Sequence, residues 1–323
     1  MRLLVPGRDE PGLYVAGGPE RLAGLHPAWA RDLERFGPLA GPAPGSLFAL
    51  GERPLYTTAP GQGPDEGSGD GPSVVAVAET SSTMDLFWAL SGQETLPAFT
   101  GVASALQTAA RGQLRRAWSS PAGNLHVTFS LPAPEGSSAK AWDRLLPLVL
   151  GELAASALEE LPGVAGPVRL KWPNDLVVGG RKVAGLLLEE RAGRLAVGLG
   201  VNLAWAPPPD ELRDGYTLEA GLLAGKGLAP GPLALWSALE KKLLFGYVVG
   251  LKQGDPTSFV SRVQGRLLWL GRPIMYTDGN KEVLLATLAG LSPDGGLRLK
   301  SWDGTEKTVY TGQLGPADGR RVA

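Results

Sequence analysis

Residues 171–190, KWPNDLVVGGRKVAGLLLEE, place the tightest constraint on what this 323-residue chain can fold into. Two apolar runs flank Gly179-Gly180, a pair suited to a tight turn, so DLVVGG and VAGLLLEE read as the arms of a β-hairpin. Pro173 drives Trp172 toward extended geometry, so KWPND reads as a strand entering a stiff turn. Lys182 then falls inside an apolar strand, where lysine is almost never fully buried without a partner. An unpaired ammonium in such a place costs several kcal/mol or loses its proton. The hairpin brings Asp175 close to Lys182, and two readings follow. One is a structural salt bridge. The other is an electrostatic site, in which the lysine holds a carboxylate or phosphate and Asp175 holds a metal or steers an incoming amine.

The surrounding sequence supplies more strands and the helices to cover them. VVAVA (74–78), VTFSLP (127–132), VRLKW (168–172) and LAVGLGVNL (195–203) read as strands. AWDRLLPLVLGELAASALEEL (141–161) and LALWSALEKKLLFGYVVGL (233–251) carry apolar residues at helical spacing and read as long helices. The expected fold is α/β (α+β), a largely antiparallel or mixed sheet covered by helices. After about residue 264 the pattern is all β. DGN, PDGG and WDGT separate its strands, each with the Asp-Gly signature of a hairpin turn, and a small barrel of four or five strands is expected.

Residues 1–72 look partly folded, with one short helix at 28–36, and end in PGQGPDEGSGDGPS, the composition of a flexible linker or long loop. The expected domains are therefore an N-terminal extension, 1–72, a catalytic domain, 73–263, and a C-terminal β domain, 264–323. Cysteine is absent and there are two histidines, His26 and His126, which excludes disulfides, thiolate zinc, a cysteine nucleophile and a His-rich metal centre. Lys plus Arg (31) balances Asp plus Glu (32), and the N-terminal region lacks a winged-helix pattern, so no nucleic-acid partner is expected. No apolar run approaches the roughly 18–20 residues of a membrane span. The N-terminus lacks a signal peptide's apolar centre, and a cytoplasmic location without membrane contact is expected.

Three further stretches bear on chemistry. In TSSTMD (80–85), a strand gives way to a helix; its hydroxyls are either N-caps or, with the free helix N–H groups, the binding surface for a small polar ligand. In QTAARGQLRRAWSSPAGN (107–124), Arg111, Arg115 and Arg116 around Gly112 make either a solvated basic loop or a mobile loop that folds over a phosphate. Neither a Walker loop nor GxGxxG is present. Ser137-Ser-Ala-Lys140 matches the SxxK pattern of serine acylases, but without the accompanying SDN or KTG it is set aside.

Ser82-Thr83, Gln107-x3-Arg111-Gly112, Arg116-x-Trp118, KWPND, RKVAG, GLGVN and TLEAG (217–221) follow one another in the order and at the spacing of biotin protein ligases, and the chain resembles that family from about Val74 onward. The resemblance implies a biotin/lipoate ligase-like catalytic domain followed by an SH3-like barrel. It implies a two-step reaction: biotin and MgATP give biotinyl-5′-adenylate and pyrophosphate, and a lysine on the biotin carrier domain of a carboxylase then takes the acyl group. By position, Ser82, Thr83, Met84 and Gln107 would line the ureido end of biotin. Arg111, Gly112 and Gln113 would close over the adenylate, with Arg116 on phosphate and Trp118 bordering the nucleotide. Lys182 and Gly185 would meet the biotin carboxylate, and Asn174 and Asp175 would lie near phosphate, Mg²⁺ and the attacking amine. A homodimer is among the states the resemblance allows.

Ala110 and Arg115 stand where the family's loop usually carries glycine, and Met84 where asparagine is common. The N-terminal residues do not match the DNA-binding domain of the bifunctional members, so a repressor role is not expected. Two alternatives stay open. One is a ligase acting on lipoate or octanoate, whose RRxSGGG pattern is absent; the other is a biotin sensor with a degraded loop.

Overall fold

The computed structural model describes residues 1–58, 73–134, 139–211, 218–225 and 229–317. Residues 60–72 of the Gly/Pro-rich segment, Ser137 and Ser138 of the SxxK pattern, and Thr217 of TLEAG lie outside the described residues. The chain opens with β1 (Arg2–Pro6), β2 (Tyr14–Val15), α1 (Gly18–Leu25), α2 (Pro27–Phe36), β3 (Leu39–Ser46) and β4 (Glu52–Thr58). It continues with β5 (Ser73–Thr80), α3 (Thr83–Ser91), β6 (Gly101–Gln107), β7 (Leu125–Leu131), α4 (Ala139–Asp143) and α5 (Leu146–Glu159). Then come β8 (Arg169–Lys171), β9 (Asp175–Val178), β10 (Arg181–Arg191), β11 (Arg194–Val201), α6 (Pro232–Gln253) and α7 (Pro256–Arg266). The last elements are β12 (Pro273–Thr277), β13 (Val283–Leu291), β14 (Leu297–Lys300), β15 (Glu306–Val309) and β16 (Gln313–Pro316).

The chain divides into two compact units. The first comprises residues 1–133, 186–205 and 226–244; the second comprises 134–185, 206–225 and 245–323. β10 contributes Arg181–Gly185 to the second unit and Leu186–Arg191 to the first.

In the first unit the strands run in the order β3-β4-β1-β5-β6-β7-β11-β10, with β2 beside the end of β5. β1 pairs with β5, and β5 with β6, in parallel; β6 with β7 and β7 with β11 are antiparallel, so the sheet is mixed. Residues 1–58 add β1, β3 and β4 to this sheet, and α1 precedes the helix expected at 28–36. β6 escapes a sequence reading because GVASALQ is built from small residues of weak strand preference; its position inside the sheet makes it a strand. α3 packs on β6, β7 and β11. Val75, Val77, Met84, Leu86, Phe87 and Trp88 form one apolar cluster, each large side chain contributing roughly 1.5–3 kcal/mol by leaving water.

α2 caps α6 across 201 residues of sequence: Asp32, 2% exposed, accepts a 2.6 Å hydrogen bond from the Leu233 N–H at the start of α6. Burial pushes the Asp32 carboxyl up to about 6, against the pull of the Leu233 and Ala234 N–H groups and of Arg35 and Arg31. Its folded value lies above the 3.8 of an exposed carboxyl, so the stability it contributes is greatest at low pH and is lost as pH rises through about 6. Asp32→Asn keeps the acceptor and removes the titration. It is expected to abolish that fall and to add about 2–3 kcal/mol near pH 8 relative to wild type, read from urea midpoints at about pH 4 and about pH 8.

In the second unit, the single helix expected over 141–161 is two, α4 and α5. Leu145 N–H bonds back to the Trp142 carbonyl, and Pro147 sits in the first turn of α5, where its missing N–H costs nothing. α5 packs on α7, β8 and β9. The β domain begins later than expected: α7 runs to Arg266, with Asp255 as its N-cap, and the first strand, β12, starts at Pro273. β12 to β16 form an antiparallel sheet in the order β15-β14-β13-β12-β16, which fits the SH3-like domain expected. The Asp-Gly turns form as read: Asp278 Oδ1 accepts from Asn280 N and Glu282 N, and Asp303 Oδ1 from Thr305 N.

Candidate active site

In the first unit, β5 ends at Thr80 and Ser82 caps α3, its Oγ accepting from Met84 N at 3.2 Å. Gln107, the last residue of β6, reaches the same turn. Its Oε1 accepts from Thr83 N (2.7 Å) and Thr83 Oγ1 (3.1 Å), while Nε2 donates to Ser120 Oγ (2.9 Å). Thr83 Oγ1 lies 2.9 Å from Thr128 Oγ1 on β7. Ser82, Thr83 and Met84 are all buried, at 3, 5 and 3% exposure, so the helix start forms a buried polar knot, with Met84 packed into the apolar cluster beside it.

The arginine loop closes on itself. Arg111 and Ala117 form an antiparallel bridge, Gly112 N–H donates to the Arg116 carbonyl, and Gln113, Arg115 and Arg116 are exposed. The Arg111 guanidinium clamps Asp85 on α3 with two 2.7 Å bonds and also reaches Glu189 on β10 at 3.5 Å. This fork-on-carboxylate bond holds Asp85 below the usual carboxylate range. Trp118 lies over Gly200 of β11, where a Cβ would sit 2.8 Å from the indole Cε2.

The two glycine replacements in the loop differ in their backbone. Ala110 has no positive φ, whereas Arg115, at φ 55°, and its neighbour Leu114, at 56°, occupy the left-handed region. A side chain there costs about 1 kcal/mol or more. Arg115→Gly is expected to slow chymotryptic cleavage after Leu114, and Arg115→Val to speed it.

In the second unit, the KWPND and RKVAG segments meet across a hairpin whose Gly179-Gly180 turn has φ of 56° and 80°, the left-handed geometry that favours glycine. Asp175 sits between two ammonium groups, Lys182 Nζ at 2.6 Å and Lys171 Nζ at 3.6 Å. Burial pushes its carboxyl up, but Lys182 and Lys171 outweigh that and hold it below the usual range. The Lys182 backbone is fixed by Glu219 and Gly221: its N–H donates to the Glu219 carbonyl and its carbonyl accepts from Gly221 N. Trp172 is buried and donates from Nε1 to the Gly295 carbonyl. Asn174 is half-buried beside this group, and Gly185 pairs with Asp175. Among the described residues no cluster of three or more His, Asp or Glu is placed to hold a metal.

Three participants escaped the sequence reading. Asp85 could have been found, because Ser82-x-x-Asp85 matches the spacing of a capping box. Glu189 and Thr128 sit in ordinary strand patterns, and only the fold brings them to the helix start.

The first unit holds a buried polar helix N-terminus and an arginine-bearing loop, and the second holds a Lys–Asp hairpin; residues 76–204 match the biotin/lipoate A/B protein ligase family. Over those residues the chain is similar to that family. Within it, the chain resembles the biotin protein ligases. It is 38% identical to the biotin–[acetyl-CoA-carboxylase] ligase of Paracoccus denitrificans over 135 residues, 39% of this chain and 53% of that protein. It is 32% identical to the bifunctional ligase/repressor of Escherichia coli over 219 residues, 64% of this chain and 63% of that one. The chain thus spans 53 to 63% of the length of these relatives. The biotin protein ligase of Aquifex aeolicus, solved with biotin and ATP, superposes with a TM-score of 0.62 at 27% identity, covering 75% of this chain and 97% of that one. Among the described residues no helix is long and apolar enough to cross a membrane.

Proposed function

We propose that this chain is a biotin protein ligase. It joins the biotin carboxylate to the α-phosphorus of ATP, releasing pyrophosphate, and passes the biotinyl group from the adenylate to a lysine of a carrier domain in a biotin-dependent carboxylase. The observation that carries the reading is the Lys182–Asp175–Lys171 cluster on a hairpin of KWPND and RKVAG sequence. In the first step negative charge builds on the carboxylate and phosphate oxygens, and a fixed cation such as Lys182 lowers that barrier. In the second step an amine must reach the acyl carbon unprotonated, and Asp175, ionised near neutral pH, is suited to orient it.

Ser82, Thr83, Met84 and Gln107 are assigned to biotin, with Gly185 near its carboxylate. Arg111, Gly112 and Gln113 are assigned to loop closure, and Arg116, Trp118 and Asn174 to the nucleotide. Mg²⁺ enters as the counter-ion of ATP; a lone carboxylate such as Asp175 fits one ligand of an ion that the phosphates otherwise hold. The protein acts in the cytoplasm, alone or as a homodimer.

The test is direct: purified protein, biotin, MgATP and a biotin carrier domain should yield biotinylated carrier, and no transfer by wild type would sink the reading. A second reading, a biotin sensor, draws on Arg111, whose guanidinium is engaged by Asp85 and Glu189. Tight biotin binding without pyrophosphate release would favour it.

A further inference from the structure

His126 is absent from the assignments above, although it is buried in the first unit on the same strand as Thr128. It is 2% exposed on β7, and because side chains alternate along a strand it shares a face with Thr128, about 7 Å along. Thr128 in turn bonds Thr83. On β11 its cross-strand partner is Gly200, and the Trp118 indole lies over that glycine. On β6, Ser104 follows Ala103, the partner of Val127, and so stands opposite His126. The imidazole therefore has hydroxyl-bearing neighbours on β6 and β7, and a bare strip of β11 roofed by one aromatic ring.

Among the described residues neither ring nitrogen of His126 makes a hydrogen bond of normal geometry. The Ser104 backbone is the polar group that acts on the ring, favouring its N–H. Burial lowers the imidazole's pKa to about 4, against that weaker pull, so at neutral pH the ring is uncharged. A neutral imidazole has one donor and one acceptor. With the N–H turned to the Ser104 carbonyl, the other nitrogen presents a buried lone pair. An unmet buried acceptor is costly, and buried polar atoms in native proteins are as a rule paired. A carboxylate or phosphate cannot pair with a lone pair, and protonating the ring to accommodate one is opposed by its burial.

We propose that His126 is a specificity residue of the ligand site, whose lone-pair nitrogen accepts a hydrogen bond from an N–H of the bound small molecule. The inference rests on the ligase reading above and sharpens it. The family joins biotin and lipoate ligases; the ureido ring of biotin carries two N–H groups, whereas lipoate and octanoate carry none. A site floored by a lone pair accepts the first and leaves an acceptor unpaired with the others.

The test compares calorimetric binding of biotin, lipoic acid and octanoic acid to wild type, His126→Phe and His126→Gln, with the melting temperature of each. Wild type should bind biotin at least tenfold more tightly than either acid. The phenylalanine variant should keep its fold and lose about tenfold or more of that preference, while glutamine, which retains an acceptor, should recover most of it. Should either variant fail to fold, ¹⁵N NMR of the wild-type histidines decides. The chain has two, and the unprotonated ring nitrogen of His126 should shift upfield when biotin is added. Biotin binding that is unchanged in the phenylalanine variant, or a His126 resonance unmoved by saturating biotin, would overturn the inference while leaving the ligase reading intact. Wild type that binds no biotin removes the ligase reading itself.

Discussion

Lys182→Ala should lower carrier biotinylation by about 10²–10³-fold, the usual loss when one preorganised group facing developing oxyanion charge is removed. Lys182 is the nearer of the two cations on Asp175, at 2.6 Å against 3.6 Å for Lys171. Truncation therefore has a structural consequence as well. Asp175 keeps Lys171, so it is not stranded, and the stability loss should stay below the roughly 3–5 kcal/mol of a broken buried pair. Single-turnover formation of the adenylate separates the two effects: a variant that melts within a few degrees of wild type yet makes adenylate far more slowly has lost chemistry. Full adenylate formation by the alanine variant would remove Lys182 from the first step. Asp175→Asn provides the contrast, since the proposal ties that carboxylate to the second step. Adenylate should then form while transfer to the carrier slows.

In the first unit, Gly200→Ala is expected to be a damaging small change. The added methyl would sit 2.8–2.9 Å from three atoms of the Trp118 indole, closer than real Cβ contacts allow. The indole must tilt away or β11 must shift, at a cost of about 1–3 kcal/mol for overpacking. Because Trp118 is assigned to the nucleotide, the apparent KM for ATP should rise about tenfold or more. The double variant Gly200→Ala with Trp118→Ala should be less unstable than the sum of the two singles, because the clash needs both groups. Strict additivity would mean that the ring does not rest on the glycine.

The hairpin at 175–191 was legible because its determinants are local: a Gly-Gly turn, apolar arms and a lysine that needed a partner. The Asp-Gly turns of the C-terminal sheet were legible for the same reason. β6 was not, since GVASALQ has little strand preference and becomes a strand through neighbours contributed by β5 and β7. The break between α4 and α5 was signalled by Pro147, but the continuous apolar spacing of 141–161 masked it. At the site, the identities of Ser82, Gln107 and Arg111 could be read from motif spacing, while their partners could not. Gln107 and Thr83 are joined by a side-chain bond across 24 positions, and Arg111 to Glu189 across 78. Such pairings are decided by strand order. Left-handed backbone at Arg115 was equally invisible, because arginine gives no local sign of it.

The N-terminal strands carry one more consequence. β5 has β1 on one side and β6 on the other, and its sequence from Val74 to Ala78 is wholly apolar and buried. A chain trimmed to the segment that resembles the ligases would present that strand with a row of open N–H and C=O groups, a template for stacking against other copies. Residues 1–58 thus act as a hem on the sheet, covering the edge that β5 would otherwise offer to other copies.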